Sequence, residues 1–199
     1  MKKWLIPLAI IVIVIIVIWQ FAAGFNNTAV TKEENAKLAW SNVESSYQRR
    51  NDLIGNLVKT VQGAADFEQG TLTDVIEARA KATSINVDAE NLSAAQIQQF
   101  QEAQQGVTSA LSRLLVTVER YPDLKANQNF LQLQSQLEGT ENRINVARDR
   151  YNEAVTDYNT YIRVFPNNLL AGLFGFDRME RFQADAGAED APEVEFDFQ

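Results

Sequence analysis

Residues 130–165 read FLQLQSQLEGTENRINVARDRYNEAVTDYNTYIRVF, and their spacing decides the fold. Apolar, aromatic or small residues alternate in steps of three and four along this stretch: Phe130, Leu133, Leu137, Thr140, Ile144, Ala147, Tyr151, Ala154, Tyr158, Tyr161 and Phe165. An α-helix turns once in about 3.6 residues, so these positions form one narrow stripe along a single helix. Such a stripe is typical of long helices that pack side by side at small crossing angles.

Two earlier stretches have the same spacing, each with one polar member. The first stripe, in which Arg50 is polar, comprises Trp40, Val43, Tyr47, Arg50, Ile54, Leu57, Val61 and Ala64. The second stripe, in which Gln104 is polar, comprises Ile97, Phe100, Gln104, Val107, Leu111, Leu114, Val118 and Tyr121. The soluble part of the chain is therefore predicted to consist mainly of long packed helices.

Proline and capping residues mark the ends of these helices. Pro122 and Pro166 each disfavour the helical conformation of the residue before them. Ser93 and Gln96 have the spacing of a capping box, and Thr71 is expected to begin the shorter helix before them. Because the loops between long helices are short, we expect an all-α, elongated antiparallel bundle. Its helices are predicted near 28–67, 71–87, 93–120 and 127–165.

The apolar run WLIPLAIIVIVIIVIW, residues 4–19, is expected to span a membrane. Extended to Phe25, it makes a helix of roughly 33 Å, close to the hydrocarbon thickness of about 30 Å. Trp4 and Trp19 or Phe25 then fall near the two interfaces, which aromatic rings favour. The alternative, a cleaved signal peptide, would place Phe21 at the −3 position of its cleavage site, where a small residue is needed.

Charges beside this run predict its orientation. Lys2 and Lys3 precede it, whereas the next basic residue, Lys32, stands beside two glutamates. Basic residues favour the cytoplasmic side, so the N-terminus is expected in the cytoplasm and the bundle outside it. The chain is therefore divided into a basic N-terminus (1–3), a transmembrane helix (4–25), the bundle (26–182) and an acidic tail predicted to be disordered (183–199).

Composition limits the chemistry that the chain can perform. Its 199 residues include 18 Lys+Arg and 26 Asp+Glu, with no histidine and no cysteine. The absent residue types exclude disulfides, thiolate zinc sites, cysteine nucleophiles and histidine-based triads. The net charge of −8 disfavours a nucleic-acid partner. No cofactor site is indicated.

Arg50, Glu141 and Arg148 lie on or beside the stripes and require partners if they are buried. We expect a structural network of ion pairs and hydrogen bonds that fixes how the helices align. The alternative is a carboxylate poised for acid–base chemistry. The pairs Tyr151-Asn152 and Tyr158-Asn159 recur seven residues apart, and hydrogen bonding between helices is the role expected for the asparagines.

Two C-terminal segments are candidate contact surfaces. The segment 169–176 is apolar and is expected either to form an interface or to fold back onto the bundle; its large residues are Leu169, Leu170, Leu173, Phe174 and Phe176. The tail alternates acidic and apolar residues, which suits either a strand added to a partner's sheet or a solubilising segment. Its apolar residues are Val194, Phe196 and Phe198.

Several motifs together resemble the LemA family of bacterial membrane proteins, from the anchor to about Phe182. They are RRNDLIGNLV at 49–58, ERYPDLKAN at 119–127, TEN at 140–142, ARDRYN at 147–152, YN at 158–159 and FPNN at 165–168. Gly55 departs from the family, which usually has proline there. The resemblance implies an N-terminal membrane helix and a helical bundle, with no established catalytic activity and no cofactor. It is compatible with either orientation in the membrane.

These observations favour a non-enzymatic, single-pass protein of the bacterial cell membrane that acts as a scaffold or adaptor. Its expected partners are the lipid bilayer, further copies of itself and another membrane or envelope protein. One alternative is a carboxylate-dependent cell-envelope hydrolase. Another is an accessory factor in membrane-protein quality control that binds partners through its C-terminal tail.

Overall fold

The computed structural model describes residues 4–63, 67–85, 87 and 92–183, and these residues form six helices and no strand. The helices are α1 (Leu5–Gln62), α2 (Gln69–Ser84), α3 (Ala94–Val118), α4 (Pro122–Lys125), α5 (Gln128–Arg163) and α6 (Asn167–Phe174). The all-α prediction is confirmed. Ala64, which the first stripe included, lies outside the described residues.

Helix α1 contains both the apolar run and the first helix of the bundle. Its 58 residues extend over roughly 87 Å at the usual helical rise. The residues from Trp4 to Gln20 are all exposed. Phe25 is the first buried residue of the helix, and further buried residues follow it at intervals. Among the described helices, α1 is the one long and apolar enough to cross a membrane. The apolar run and the first bundle helix therefore form one continuous helix.

The long helices are antiparallel neighbours, as predicted. Helix α5 runs back along α1, so that Trp40 lies beside Tyr151 and Arg50 beside Glu141. Helix α2 runs against α3 in the same way, with Arg113 paired to Asp74. Helices α1 and α3 point in the same direction on either side of a shared core, because Trp40 lies beside Phe100 and Arg50 beside Thr108.

The core is divided into three clusters along the bundle. The cluster farthest from the apolar run is aliphatic and joins α1, α2 and α3 through residues such as Leu57, Val75 and Leu114. The middle cluster centres on Trp40, and the cluster nearest the run centres on Phe25. Burial of one large apolar side chain contributes about 1.5–3 kcal/mol, so these clusters hold the helices together.

Helix boundaries differ from the prediction at the α1–α2 connection. Helix α1 ends at Gln62 and α2 begins at Gln69 after the N-cap residue Glu68, so Thr71 lies inside the helix. Phe67 before the cap and Leu72 in the first turn are buried in one cluster. Phe67 and Leu72 occupy the N′ and N4 positions of a hydrophobic staple, which accounts for a start of α2 before Thr71.

Other boundaries follow their local signals. Ser93 and Gln96 form the predicted capping box, in which each side chain bonds to the other residue's backbone N–H. Helix α2 ends at Ser84, earlier than predicted, and Pro122 and Pro166 interrupt the chain as expected. The short helices α4 and α6, which begin at or directly after these prolines, were not predicted.

Candidate functional site

Arg50 is the most unusual residue in the core, because its charged side chain is only 2% exposed. One terminal nitrogen, Nη1, donates to Glu141 Oε1 at 2.9 Å and to Thr108 Oγ1 at 3.1 Å. The other, Nη2, donates to the side-chain oxygen of Gln104 at 2.5 Å and to its carbonyl at 3.3 Å. The guanidinium also lies over the Tyr47 ring, 4.9 Å from its centroid. One arginine thus joins α1, α3 and α5.

Glu141 supplies the negative charge at this centre while keeping one side toward solvent. Its side chain is 37% exposed, whereas that of Arg50 is 2% exposed. A buried guanidinium without a counter-charge is costly, so Glu141 stabilises the position of Arg50 more than an ordinary surface pair would. The structure brings together these two members of the predicted polar network.

The carboxylate of Glu141 is poorly placed for acid–base catalysis. Its hydrogen bond to Arg50 occupies one of its oxygens. Glycosidases need a second carboxylate about 5–10 Å away, and Glu141 is the one acid among the described residues that line the adjacent groove. The described residues also contain no cluster of three or more metal-ligand side chains. The ion pair of Glu141 with Arg50, with no second acid among the described residues that line the groove, argues against acid–base hydrolysis at this groove.

An open polar groove lies between α3 and α5, directly above Arg50. We refer to it as the α3–α5 groove; its volume is about 430 Å³. Tyr47 and Arg50 of α1 form its floor, and its walls are formed by Gln101, Gln104, Gln105, Thr108, Ser109, Glu141, Ile144, Asn145 and Arg148. Arg148 forms part of this wall. Among the described residues, it makes no hydrogen bond or ion pair with Glu141 or Arg50. Its guanidinium instead lies over the Phe182 ring and donates to the Gln183 carbonyl.

The chain after α6 forms a strap along α5. We define the C-terminal strap as residues 175–183, which lie in neither helix nor strand. Gly175 has a φ of 75°, and the Phe176 N–H bonds to the Ala171 carbonyl. This is the left-handed glycine ending of a helix, and it turns the chain back toward the bundle. The strap then runs from the C-terminal end of α5 toward its middle.

The Tyr-Asn repeat of α5 holds this strap by its backbone. Asn159 bonds to both the N–H and the carbonyl of Met179, at 3.0 and 2.8 Å, and Asn152 bonds in the same way to Phe182, at 2.9 and 3.3 Å. The Tyr158 and Tyr151 hydroxyls donate to the carbonyls of residues 177 and 180, respectively. The asparagines therefore bind a peptide backbone, where sequence reasoning had assigned them to bonds between helices.

The spacing of the asparagines on α5 matches the spacing of the strap residues that they bind, because the two distances are nearly equal. Seven helical residues rise by about 10.5 Å, and three extended residues span about 10 Å. Asparagines seven apart on α5 therefore meet strap residues that are three apart. The signal available in the sequence was the identical Tyr-Asn pair one heptad apart, together with apolar residues at every third position after Gly175: Phe176, Met179 and Phe182.

Burial extends to higher pH the protonated form of both tyrosines, in which the hydroxyl can donate a hydrogen bond. It raises the pKa of Tyr158 to about 12, with nearby Glu33 and Asp177 acting in the same direction. Burial likewise raises the pKa of Tyr151, and the charge of Glu180 adds to that effect. Any tyrosine is neutral at physiological pH, and burial extends the neutral, hydrogen-bond-donating form of these two phenols to more alkaline pH.

Three aromatic residues were assigned to the membrane interfaces, and the structure separates them. Trp4 and Trp19 are 86% and 70% exposed, as side chains that face lipid must be. Phe25 is buried and packs against the rings of Tyr161, Phe174 and Phe176. Its contacts are with protein, so α6 takes the place that lipid was expected to occupy.

The residues of segment 169–176 are divided between two faces of α6 and the strap. Leu170 and Phe176 pack against the Phe25 cluster, which is the predicted folding back onto the bundle. Leu169, Leu173 and Phe174 remain exposed, at 66%, 76% and 45%. The residues predicted for the docking tail, Val194, Phe196 and Phe198, lie outside the described residues.

The fold and this site define a class of protein: a helical bundle that continues from an N-terminal helix able to span a membrane. The LemA family model matches residues 39–196, which includes the α3–α5 groove and the strap. The chain therefore belongs to the LemA family, and it is a membrane-associated protein.

Relatives with other names share most of the chain. Magnetosome protein MamQ 2 of Paramagnetospirillum magneticum is 31% identical, over 83% of this chain and 67% of the relative. Magnetosome protein MamQ of Magnetospirillum gryphiswaldense is 29% identical over the same shares. Protein LemA of Metamycoplasma hominis is 26% identical, over 81% of this chain and 70% of the relative.

Proposed function

We propose that this LemA-family chain is a non-enzymatic, single-span membrane scaffold that holds a rigid helical body against the bilayer. The observation that carries the proposal is the continuity of α1 from its exposed apolar half into the core, where Phe25, Ala29, Ala36 and Trp40 are buried. An uninterrupted helix between membrane and body leaves no hinge between them. Any partner bound to the body is then held at a fixed distance from the membrane.

Helix α6 supports a second contact with the bilayer. Leu169 and Leu173 lie one turn apart on α6 and are 66% and 76% exposed, and Phe165, which precedes the helix, is 80% exposed. The opposite side of α6 packs against Phe25, directly after the apolar run of α1. An apolar helical face at this end of the body suits the boundary between lipid headgroups and acyl chains. We therefore assign this face to lipid contact.

A fluorescent label in proteoliposomes tests the lipid contact. We expect a dye on a Leu173→Cys variant to be quenched by brominated lipids. A Val116→Cys variant is the matched control, because Val116 is 71% exposed and lies on α3 near the far end of the body. Equal quenching of the two dyes would remove the proposed lipid contact.

Orientation and self-association are further parts of the proposal. The N-terminal lysines favour a cytoplasmic N-terminus and an extracytoplasmic body. A cysteine at exposed Gln69 would then react with a membrane-impermeant thiol reagent applied from outside the cell. Crosslinking in native membranes is expected to trap oligomers or one dominant membrane or envelope partner. A chain that remains monomeric and without a partner would contradict the scaffold role.

A further inference from the structure

The end of the strap lies at the mouth of the α3–α5 groove. The Gln183 carbonyl accepts from Gln101 Nε2 at 3.1 Å and from Arg148 Nη2 at 3.3 Å. Both donors also line the groove, which continues along α5 in the direction that the strap follows. The described chain therefore ends where the groove opens, and residues 184–199 lie outside the described residues.

The spacing of the Tyr-Asn repeat indicates which residue of the chain would lie beside the next equivalent position on α5. Asn159 binds Met179 and Asn152 binds Phe182. Seven residues before Asn152 on α5 is Asn145, an exposed residue in the groove wall. Three residues after Phe182 is Asp185. If the spacing of these two pairs continued, the residue opposite Asn145 would be Asp185.

From the site of Phe182 to the α3–α5 groove, the surface of the bundle gains a charged group. The sequence that follows Phe182 also changes from an apolar to a charged residue. Phe182 packs on the Trp40 and Tyr151 rings. One heptad further along α1, the floor consists of Tyr47 and buried Arg50. Three residues after Phe182, the sequence changes correspondingly from an aromatic ring to the carboxylate of Asp185.

The charges of the groove also favour an acidic occupant. Two guanidinium groups, those of Arg50 and Arg148, line it together with one carboxylate, that of Glu141. Arg50 Nε is buried and has no hydrogen-bond partner among the described residues. One further carboxylate would balance the two positive charges and supply acceptors for the remaining donors.

The size of the groove suits small residues. Its α5 wall, from Glu141 to Arg148, is about 10.5 Å long, which corresponds to three or four extended residues. The residues after Gln183 are Ala184, Asp185, Ala186, Gly187 and Ala188, of which all but Asp185 are small and uncharged. Side chains this small would leave room for an extended backbone between the two helices.

We propose that the α3–α5 groove is a binding site for an extended acidic peptide and that its occupant is this chain's own segment 184–187. The Asn145 amide pairs with the main chain of Asp185, as Asn152 does with Phe182. The Asp185 carboxylate binds the guanidinium groups of Arg50 and Arg148. Gln183 is the last residue of the strap outside the groove.

Disulfide formation in the full-length chain tests this seating, and the chain contains no native cysteine to interfere. The test pair is Ser109→Cys with Ala186→Cys, which leaves Asn145, Arg148 and Asp185 intact. The control pair is Ser109→Cys with Glu195→Cys. In detergent micelles under mild oxidation, the test pair is expected to form an intramolecular disulfide about tenfold faster than the control pair, because seating raises the effective concentration of the two thiols. Equal rates would overturn the proposal.

A substitution at Asp185 tests the register. Asp185→Asn in the test-pair background is expected to slow disulfide formation about fivefold or more, because it removes the charge-assisted bonds to the arginines. Asp190→Asn is the matched control and is expected to leave the rate unchanged. Equal slowing by both substitutions, or none by Asp185→Asn, would overturn the assignment of Asp185. A disulfide between two chains would identify a second copy's tail as the occupant and overturn the intramolecular proposal.

Discussion

Asn152 binds both main-chain polar groups of Phe182: its side-chain oxygen accepts from the Phe182 N–H at 2.9 Å, and its amide nitrogen donates to the Phe182 carbonyl at 3.3 Å. This pairing imitates the way one strand binds another, but it uses a side chain on a helix. It holds the Phe182 ring on Trp40, with the ring centroids 5.5 Å apart. The C-terminal strap is thus part of the core of the bundle.

An Asn152→Asp substitution is expected to release the strap locally. The carboxylate cannot donate to the Phe182 carbonyl, and loss of a hydrogen bond in a partly buried site costs about 1–3 kcal/mol of unfolding free energy. Limited trypsin digestion should then cut faster after Arg178 and Arg181, which lie in the strap.

Asn142→Asp is the control for this substitution, because Asn142 is an exposed residue of the same helix. Its effect on unfolding free energy should stay within about 0.5 kcal/mol. Equal protease sensitivity of the two variants would show that the asparagine pairing does not hold the strap.

Alkaline pH is expected to weaken the same contact through Tyr158. Its pKa is raised to about 12 in the folded chain, whereas an unfolded tyrosine loses its proton near 10. The folded state therefore keeps this stabilisation below about pH 10 and loses it as the pH rises toward 12. Unfolding free energy measured across this interval should fall.

A Tyr158→Phe variant isolates this effect from the titration of lysines in the same interval. Phenylalanine has no proton to lose, so its stability should fall less steeply between pH 10 and 12, whatever its stability at neutral pH. Identical slopes for the two proteins would mean that the Tyr158 hydroxyl does not contribute.

The long helices could be predicted from the sequence because the spacing that identifies each helix lies within its own residues. Steps of three and four place apolar side chains on one stripe, and packing those stripes produces α1, α3 and α5. The capping box at Ser93 was legible for the same reason. The beginning of α2 was not, because it depends on Phe67 and Leu72 being buried together.

The strap was not predicted, because its bonds join residues about 20–30 positions apart, and neither the Tyr-Asn repeat nor the apolar residues at every third position by itself identifies the other as its partner. The repeated Tyr-Asn pair could be seen in the sequence. An asparagine amide beside an apolar stripe, however, can hydrogen-bond to a neighbouring helix as well as to an extended chain. Arg50 and Glu141 were recognised as residues that need partners, whereas their direct bond depends on the placement of α1 against α5. Burial of Phe25 under α6 had no signal in the apolar run itself.

Gly55 occupies a position where proline should be tolerated unusually well. A proline inside a helix removes the hydrogen bond to the carbonyl four residues earlier, here that of Asn51, at a cost of about 3 kcal/mol. Arg79 Nε already donates to this carbonyl at 2.8 Å, so the carbonyl keeps a partner. We expect Gly55→Pro to cost roughly 1 kcal/mol or more less than Asn56→Pro at the exposed neighbouring position. Denaturant unfolding of the two variants measures the difference, and equal losses would refute the compensating role of Arg79.

The Arg50–Glu141 pair is expected to respond asymmetrically to substitution. Glu141→Ala leaves a buried guanidinium without its counter-charge, and breaking a buried pair in this way costs about 3–5 kcal/mol. The exposed side of Glu141 admits water, so we expect a loss near the lower end of that range. Arg50→Met instead leaves a carboxylate that can turn toward solvent.

A double-mutant cycle separates this charge effect from lost packing. Combining Arg50→Met with Glu141→Ala should destabilise the protein by less than the sum of the two single losses, because the second substitution removes no remaining pair. Glu138→Ala is the control for the glutamate, since Glu138 is an exposed residue of α5; its effect should add to that of Arg50→Met. If the losses of Arg50→Met and Glu141→Ala also add, the ion pair does not stabilise the junction of α1, α3 and α5, and packing and hydrogen bonds to Gln104 and Thr108 hold Arg50 in place.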